Sequence, residues 1–160
     1  MQKYHMRRTD REIKDPVQLS NILHQGKFMV LALTHLNEPY IVTLSYGYDE
    51  KQNHVYFHCA KEGLKLQYIA ANPRACATVI IDKGYIQEEC AHPFTTLVLR
   101  GSIEMVDDVE DKKHGISLIL NHLEANPTAI SKKVLQNDQV YEKICVLRMT
   151  VEDISGKAGK

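Results

Sequence analysis

The chain of 160 residues has no tryptophan, three phenylalanines, no net charge and no C-x-x-C pair, and it contains no long unbroken apolar run. Each shortage removes a class of protein. A bilayer-spanning helix needs ~20 apolar residues, and a secretory leader needs an apolar core where Met1 to Asp10 is polar and charged, so the expected location is the cytoplasm and neither membrane nor export is expected. Lys plus Arg and Asp plus Glu number 20 each, leaving no global field to gather nucleic acid and only a short basic cluster, Arg7, Arg8 and Arg11. The four cysteines, Cys59, Cys76, Cys90 and Cys145, are scattered, which excludes a zinc ribbon or a thioredoxin-type site and reads as reduced thiols. Eight histidines include no H-E-x-x-H, and His54 and His58 fall in a strand-like run, so no metal site is expected. Dinucleotide, Walker and nucleophile-elbow glycine motifs are also missing, and with them the means for unaided hydrolysis.

What is present is an ordinary globular composition, 44% hydrophobic and 25% charged, at the length of one domain spanning 1–160. Asp15 as cap and Pro16 at the first helical position open a short helix that ends at Gly26. Lys27 to His35 is apolar on both faces and reads as a strand inside a closed sheet, and Leu36 to Pro39 turns it. Tyr40 to Gly47 and His54 to Ala60 form a hairpin, and a helix is expected from Lys61 to Ala71, stopped before Pro73. Arg74 to Asp82 and Phe94 to Val106 are further strands, with Gly101 marking a bulge in the second. Asp107 to Glu124 carries Ile116, Ile119, Leu120 and Leu123 at helical spacing, Pro127 to Asn137 holds another helical turn, and Val140 to Val151 is a sixth strand followed by a frayed tail from Ser155. The pattern predicts a mainly β, six-stranded antiparallel barrel with flanking helices.

The chemistry concentrates where the third strand hands over to its helix, Tyr56-Phe57-His58-Cys59-Ala60-Lys61-Glu62-Gly63-Leu64-Lys65. Open backbone N–H groups at a helix start, two ammonium groups and a glycine outline a phosphate site. His58 shares a face with Tyr56 and, in hairpin register, stands near Thr43 or Ser45, where it can exchange a hydrogen bond with a ligand or serve only as a structural side chain. Cys90 reads as a buried, inert thiol or a redox thiol.

These blocks, with Met6 to Ile13, Val42-Thr43-Leu44-Ser45-Tyr46-Gly47-Tyr48, Asn72-Pro73-Arg74-Ala75, Thr95 to Gly101 and Val146 to Lys157, resemble the pyridoxamine 5′-phosphate oxidase-like flavoproteins, and among them the 5-nitroimidazole-resistance branch. The resemblance implies a split β-barrel that dimerises and binds FMN between subunits. It assigns Lys65, with Lys61 and Gly63 nearby, to the FMN phosphate, and Thr43, Leu44 and Ser45 to the isoalloxazine edge. Phe57 and His58 would lie between ring and ribityl chain, with Thr96 contributed at the interface. It further implies electron transfer from NADH or NADPH to a small acceptor, a nitroaromatic being one such class, with His58 as the candidate proton donor; a flavin- or haem-binding protein without turnover is the alternative. Two departures stand out. Thr96 replaces the serine of the resistance branch, and Leu64 replaces the arginine that oxidases place before the phosphate-binding lysine, which argues against pyridoxamine phosphate as substrate.

Overall fold

A computed structural model of the chain describes residues 6–159. The element order is β1 (Glu12–Ile13), α1 (Pro16–Gln25), β2 (Phe28–His35), β3 (Glu38–Asp49), β4 (His54–Cys59), α2 (Leu64–Ala71), β5 (Arg74–Asp82), β6 (Phe94–Val106), α3 (Val109–Leu123), α4 (Pro127–Val134), α5 (Asp138–Glu142) and β7 (Cys145–Gly159). Six strands close into an antiparallel ring, β7-β4-β3-β2-β5-β6 and back to β7, and the short β1 adds to the C-terminal half of β7. The expected mainly β barrel with flanking helices is the observed architecture.

Local chemistry accounts for most boundaries. Asp15 caps α1 by accepting from Val17 N at 3.0 Å, and Pro16 takes the first helical position, where a missing N–H costs nothing. The β2–β3 reversal is tighter than the four-residue turn expected. Leu36 (φ 49) and Asn37 (φ 64) form a two-residue connection in the left-handed region, whose twist matches that of the strands, and β3 already starts at Glu38. In the next turn the Asp49 carboxylate accepts from Lys51 N and Gln52 N at 3.0 and 3.1 Å.

Gly101 sits at the register shift between β6 and β7. A Cβ there would stand 1.8 Å from the Thr150 carbonyl oxygen, so the two backbones approach closely only because no side chain intervenes. The bulge lets β7 continue along β6 for its whole length, with Phe94 paired to Gly159 at one end and Val106 to Val146 at the other.

Three boundaries differ from the pattern-based reading. The helix after β4 begins at Leu64, because Lys61 to Gly63 are needed as linker. Residues 138–142 are helical, and the last strand starts at Cys145. The C-terminal segment expected to fray is instead ordered strand through Gly159, held by β6 on one side and by β1 on the other.

The barrel interior is filled by Met29, Leu31, Tyr46, Phe57, Leu97, Leu99, Leu147 and Met149. Tyr46 satisfies its buried hydroxyl by donating to the Leu23 carbonyl at 2.6 Å, which ties α1 to the barrel. A second apolar layer, Tyr56, Val106, Ile116, Ile119, Tyr141 and Val146, lies outside the barrel beneath α3 and α5.

Candidate functional site

The β3–β4 ladder runs from Asp49↔His54 to Tyr46↔Phe57 and stops. Beyond that point β3 remains paired only to β2, with Ser45 opposite Phe28 and Thr43 opposite Val30, while His58 and Cys59 of β4 remain paired only to β7. The barrel is split here. Among the described residues no strand covers the edge of β3 from Glu38 to Ser45, so its backbone N–H and C=O groups face an opening.

The alternation of the strands decides which predicted residues face outward. Thr43, Ser45 and His58 are exposed, whereas Leu44 packs against the barrel core. Phe57 is fully buried inside the barrel, so only its backbone could reach a ligand. His58 stands at the mouth of an apolar pocket of about 200 Å³ lined by Ile116, Ile119, Leu120, Val134 and Ile144.

The linker Ala60 to Gly63 carries the chain from the opening to α2. Gly63 caps α2 with φ 135 and ψ 161, a conformation L side chains rarely adopt, and no side chain caps the helix. Leu66 N donates to the Gly63 carbonyl at 3.1 Å. The Lys65 ammonium lies 3.5 Å from the point where a Cβ on Gly63 would stand, so the lysine folds back over the helix start. Lys61 is exposed beside it. An uncapped helix N-terminus with one lysine folded over it and a second in the linker is an arrangement suited to a phosphate.

Thr96 stands apart from this group. Its hydroxyl donates to the Val79 carbonyl at 3.0 Å and lies 3.1 Å from the Thr78 hydroxyl, and it lines a shallow cavity of about 400 Å³ with Ile80, Asp82, His92 and Phe94. Asp82 is held below the usual carboxylate range by the Gly84 N–H and by His92, whose Nε2 is 2.8 Å away. Three strand steps of ~4.8 Å put Thr96 on β6 about 14 Å from β3 along the sheet. Within one chain the structure therefore gathers Thr43, Ser45, His58, Lys61, Gly63 and Lys65 around the split and leaves Thr96 at the far side of the same outer face.

That outer face is built by β3, β2, β5 and β6, and the apolar character of both faces of β2 brings exposed hydrophobic side chains onto it. Phe28, Ile41 and Ile80 are 63, 65 and 59% exposed on it. The alternation of β2 was masked because both of its faces are apolar. Cys90 is exposed, with φ 47, in the loop before β6 and is not the buried thiol expected. No helix is long and apolar enough to cross a membrane, and no group of three or more potential metal-ligating side chains exists, among the described residues.

A family model described as pyridoxamine 5′-phosphate oxidase matches residues 15–158. Among solved structures, a protein from Bacteroides thetaiotaomicron described as a candidate 5-nitroimidazole antibiotic resistance protein superposes with a TM-score of 0.78 at 23% identity, covering 92% of this chain and 86% of that one. An FAD-binding protein from Mesorhizobium loti gives 0.65 at 21% identity over 94 and 98% of the two chains. A flavocytochrome from Azotobacter vinelandii gives 0.77 at 14% identity over 99 and 73%. At these identities the likeness is one of fold. No curated protein sequence matches.

Proposed function

The chain belongs to the pyridoxamine 5′-phosphate oxidase family, and from that premise we propose that it is an FMN-dependent oxidoreductase passing electrons from NADH or NADPH to a small acceptor, a nitroaromatic in the reading that its likeness to the Bacteroides protein favours. The observation that carries this is the split between β3 and β4, where an unpaired strand edge and a lysine-bearing, uncapped helix start lie on either side of one opening.

When bound, FMN supplies the redox chemistry; the protein's part is to hold and orient it. Lys65, with Lys61 and the α2 N–H groups, would hold the phosphate and offset its charge. The backbone edge and hydroxyls of Thr43 and Ser45 would supply hydrogen bonds to the flavin ring. None of Thr43, Ser45, His58 or Thr96 is anionic, so these side chains would place no repelling carboxylate beside a flavin held there. His58, exposed beside the opening, holds the proton that a reduced acceptor takes up.

A homodimer completes the site in this reading. Exposed Phe28, Ile41 and Ile80 form an apolar face that a second copy can cover, and stacking two such faces carries one protomer's Thr96 toward its partner's β3, closing the 14 Å gap along the sheet. Four free thiols suit the reducing cytoplasm. The pocket beside His58, at about 200 Å³, is below the ~300–1,000 Å³ that accommodates drug-sized ligands, which disfavours a haem held there.

The purified protein should show flavin absorption bands and no Soret band, sediment at about twice 18.3 kDa, and lose its flavin band anaerobically on addition of NADH or NADPH, with a nitroaromatic restoring it. A flavin that dithionite reduces but neither nicotinamide does would overturn the reductase reading and leave a flavin-binding protein without that turnover.

A further inference from the structure

The β4–β7 ladder ends on the pair Cys59↔Cys145. Directly opposed residues of an antiparallel pair present their side chains on the same face, with Cα atoms ~4.5 or ~5.5 Å apart according to the type of pair. Both separations fall inside the ~4.4–6.8 Å that disulfides span. The other two thiols have no such partner, since Cys76 faces Ala32 and Arg100 across its strands and Cys90 is an exposed loop residue.

From this juxtaposition we propose that Cys59 and Cys145 are a redox-active dithiol, which a low-molecular-weight disulfide converts to a cross-strand disulfide beside the β3–β4 opening. The roles of the two thiols follow from their surroundings. Cys59 is partly exposed at the end of β4 and reachable, while Cys145 is 8% exposed at the edge of the barrel core. A hydrogen bond from Cys145 is the main influence drawing the Cys59 thiol down to about 7; burial opposes it and the Lys65 ammonium adds to it. Cys145 is pushed up, first by its hydrogen bond to Cys59 and then by burial. Cys59 is therefore the attacking thiolate and Cys145 the thiol that resolves.

The exchange balances in two steps. The Cys59 thiolate attacks one sulfur of the small disulfide, forming a mixed disulfide and expelling a thiolate. That step removes the negative charge holding the proton on Cys145. Cys145 then gives up its proton, attacks Cys59 Sγ and expels the second small thiolate. The two protein thiols are oxidised by two electrons, their protons end on the two small thiols, and the small disulfide is reduced.

The test needs no flavin, so it is independent of the oxidoreductase reading. Treating the reduced protein with glutathione disulfide at pH 7, blocking residual thiols by alkylation and mapping all four cysteines by peptide mass should give one product, a peptide pair joined through Cys59 and Cys145. In Cys145→Ser the reaction should stop at a glutathione adduct on Cys59. In the untreated native chain Cys59 should alkylate about fivefold faster than the same residue in urea, because a larger thiolate fraction outweighs the lower nucleophilicity of a depressed thiol. A glutathione adduct that persists on Cys59 in the unaltered chain, or a Cys59 no faster than in urea, would overturn the proposal whether or not the variant folds.

Discussion

Lys65 and Leu64 stand side by side at the start of α2 and pull the phosphate site in opposite directions. Lys65 is half-buried with its ammonium folded over Gly63, so its stem is already ordered and little side-chain entropy is left to lose on binding. Leu64 is 48% exposed where a second cation would reach the same anion. Lys65→Ala should weaken FMN binding by about 1–3 kcal/mol, the range for a lost charge-assisted hydrogen bond, and Leu64→Arg should strengthen it. Titration followed by quenching of flavin fluorescence reads both. Equal affinity in Lys65→Ala and the parent would remove the lysine from the site. Both residues were legible in the sequence because a strand-to-helix junction and two lysines are local features. Phe57 was not: its face depends on which side of β4 the barrel closes, and it turned inward.

At the scale of elements, β7 does the most. Its N-terminal half lies between β4 and β6, and its C-terminal half lies between β6 and β1. Removing residues 155–160 takes away the partners of Phe94, Thr95, Thr96, Leu97 and Val98 on β6 and both residues of β1. At ~0.5–1.5 kcal/mol net per hydrogen bond, the loss of about five ladder bonds should cost roughly 3–7 kcal/mol, read as a lower urea midpoint, together with loss of the Thr96 environment. A midpoint within error of the parent would mean that the tail contributes no stability. Composition hid this strand, because Ser155-Gly156-Lys157-Ala158-Gly159 is poor in β-branched and aromatic residues. Its pairing comes instead from the long β6, whose register Gly101 allows to continue past the bulge.

For the whole molecule, two half-buried histidines set a pH limit. Burial lowers His54, with Arg148 adding to it, and burial lowers His122, whose Nε2–H donates to the Gly26 carbonyl. Each folded value lies below the ~6.5 of an unfolded histidine, so below that pH the unfolded chain binds more protons than the folded one. The stability these groups contribute is full above about pH 6.5 and is lost as the pH falls toward their folded values. Asp49 adds a second, more acid window. Burial pushes its carboxyl up, but the His114 imidazole at 2.7 Å and the N–H groups of Gln52 and Lys51 outweigh that and hold it low, so its contribution is lost only below ~4. Thermal melting should therefore give a Tm that falls from pH 7.5 to pH 5 and falls again below pH 4. A Tm unchanged between pH 7.5 and 5 would show that both imidazoles keep their ordinary values in the folded chain.

The sequence by itself determined the periodic and local features: the caps of α1, the strand-to-helix junction with Lys61, Gly63 and Lys65, the glycine at the β6 bulge and the strand character of the segments that build the barrel. Each rests on residues within a few positions of one another, where propensity, capping and turn chemistry act. Tertiary structure alone decided what depends on distant segments meeting. It ended the β3–β4 ladder at Tyr46 and Phe57 to open the site, drew the C-terminal residues into β7, and set Cys59 opposite Cys145 across 86 positions of sequence. Strand pairing is a long-range choice, made by which hydrophobic faces can be buried together once the barrel closes, and no local signal in either cysteine's neighbourhood records it.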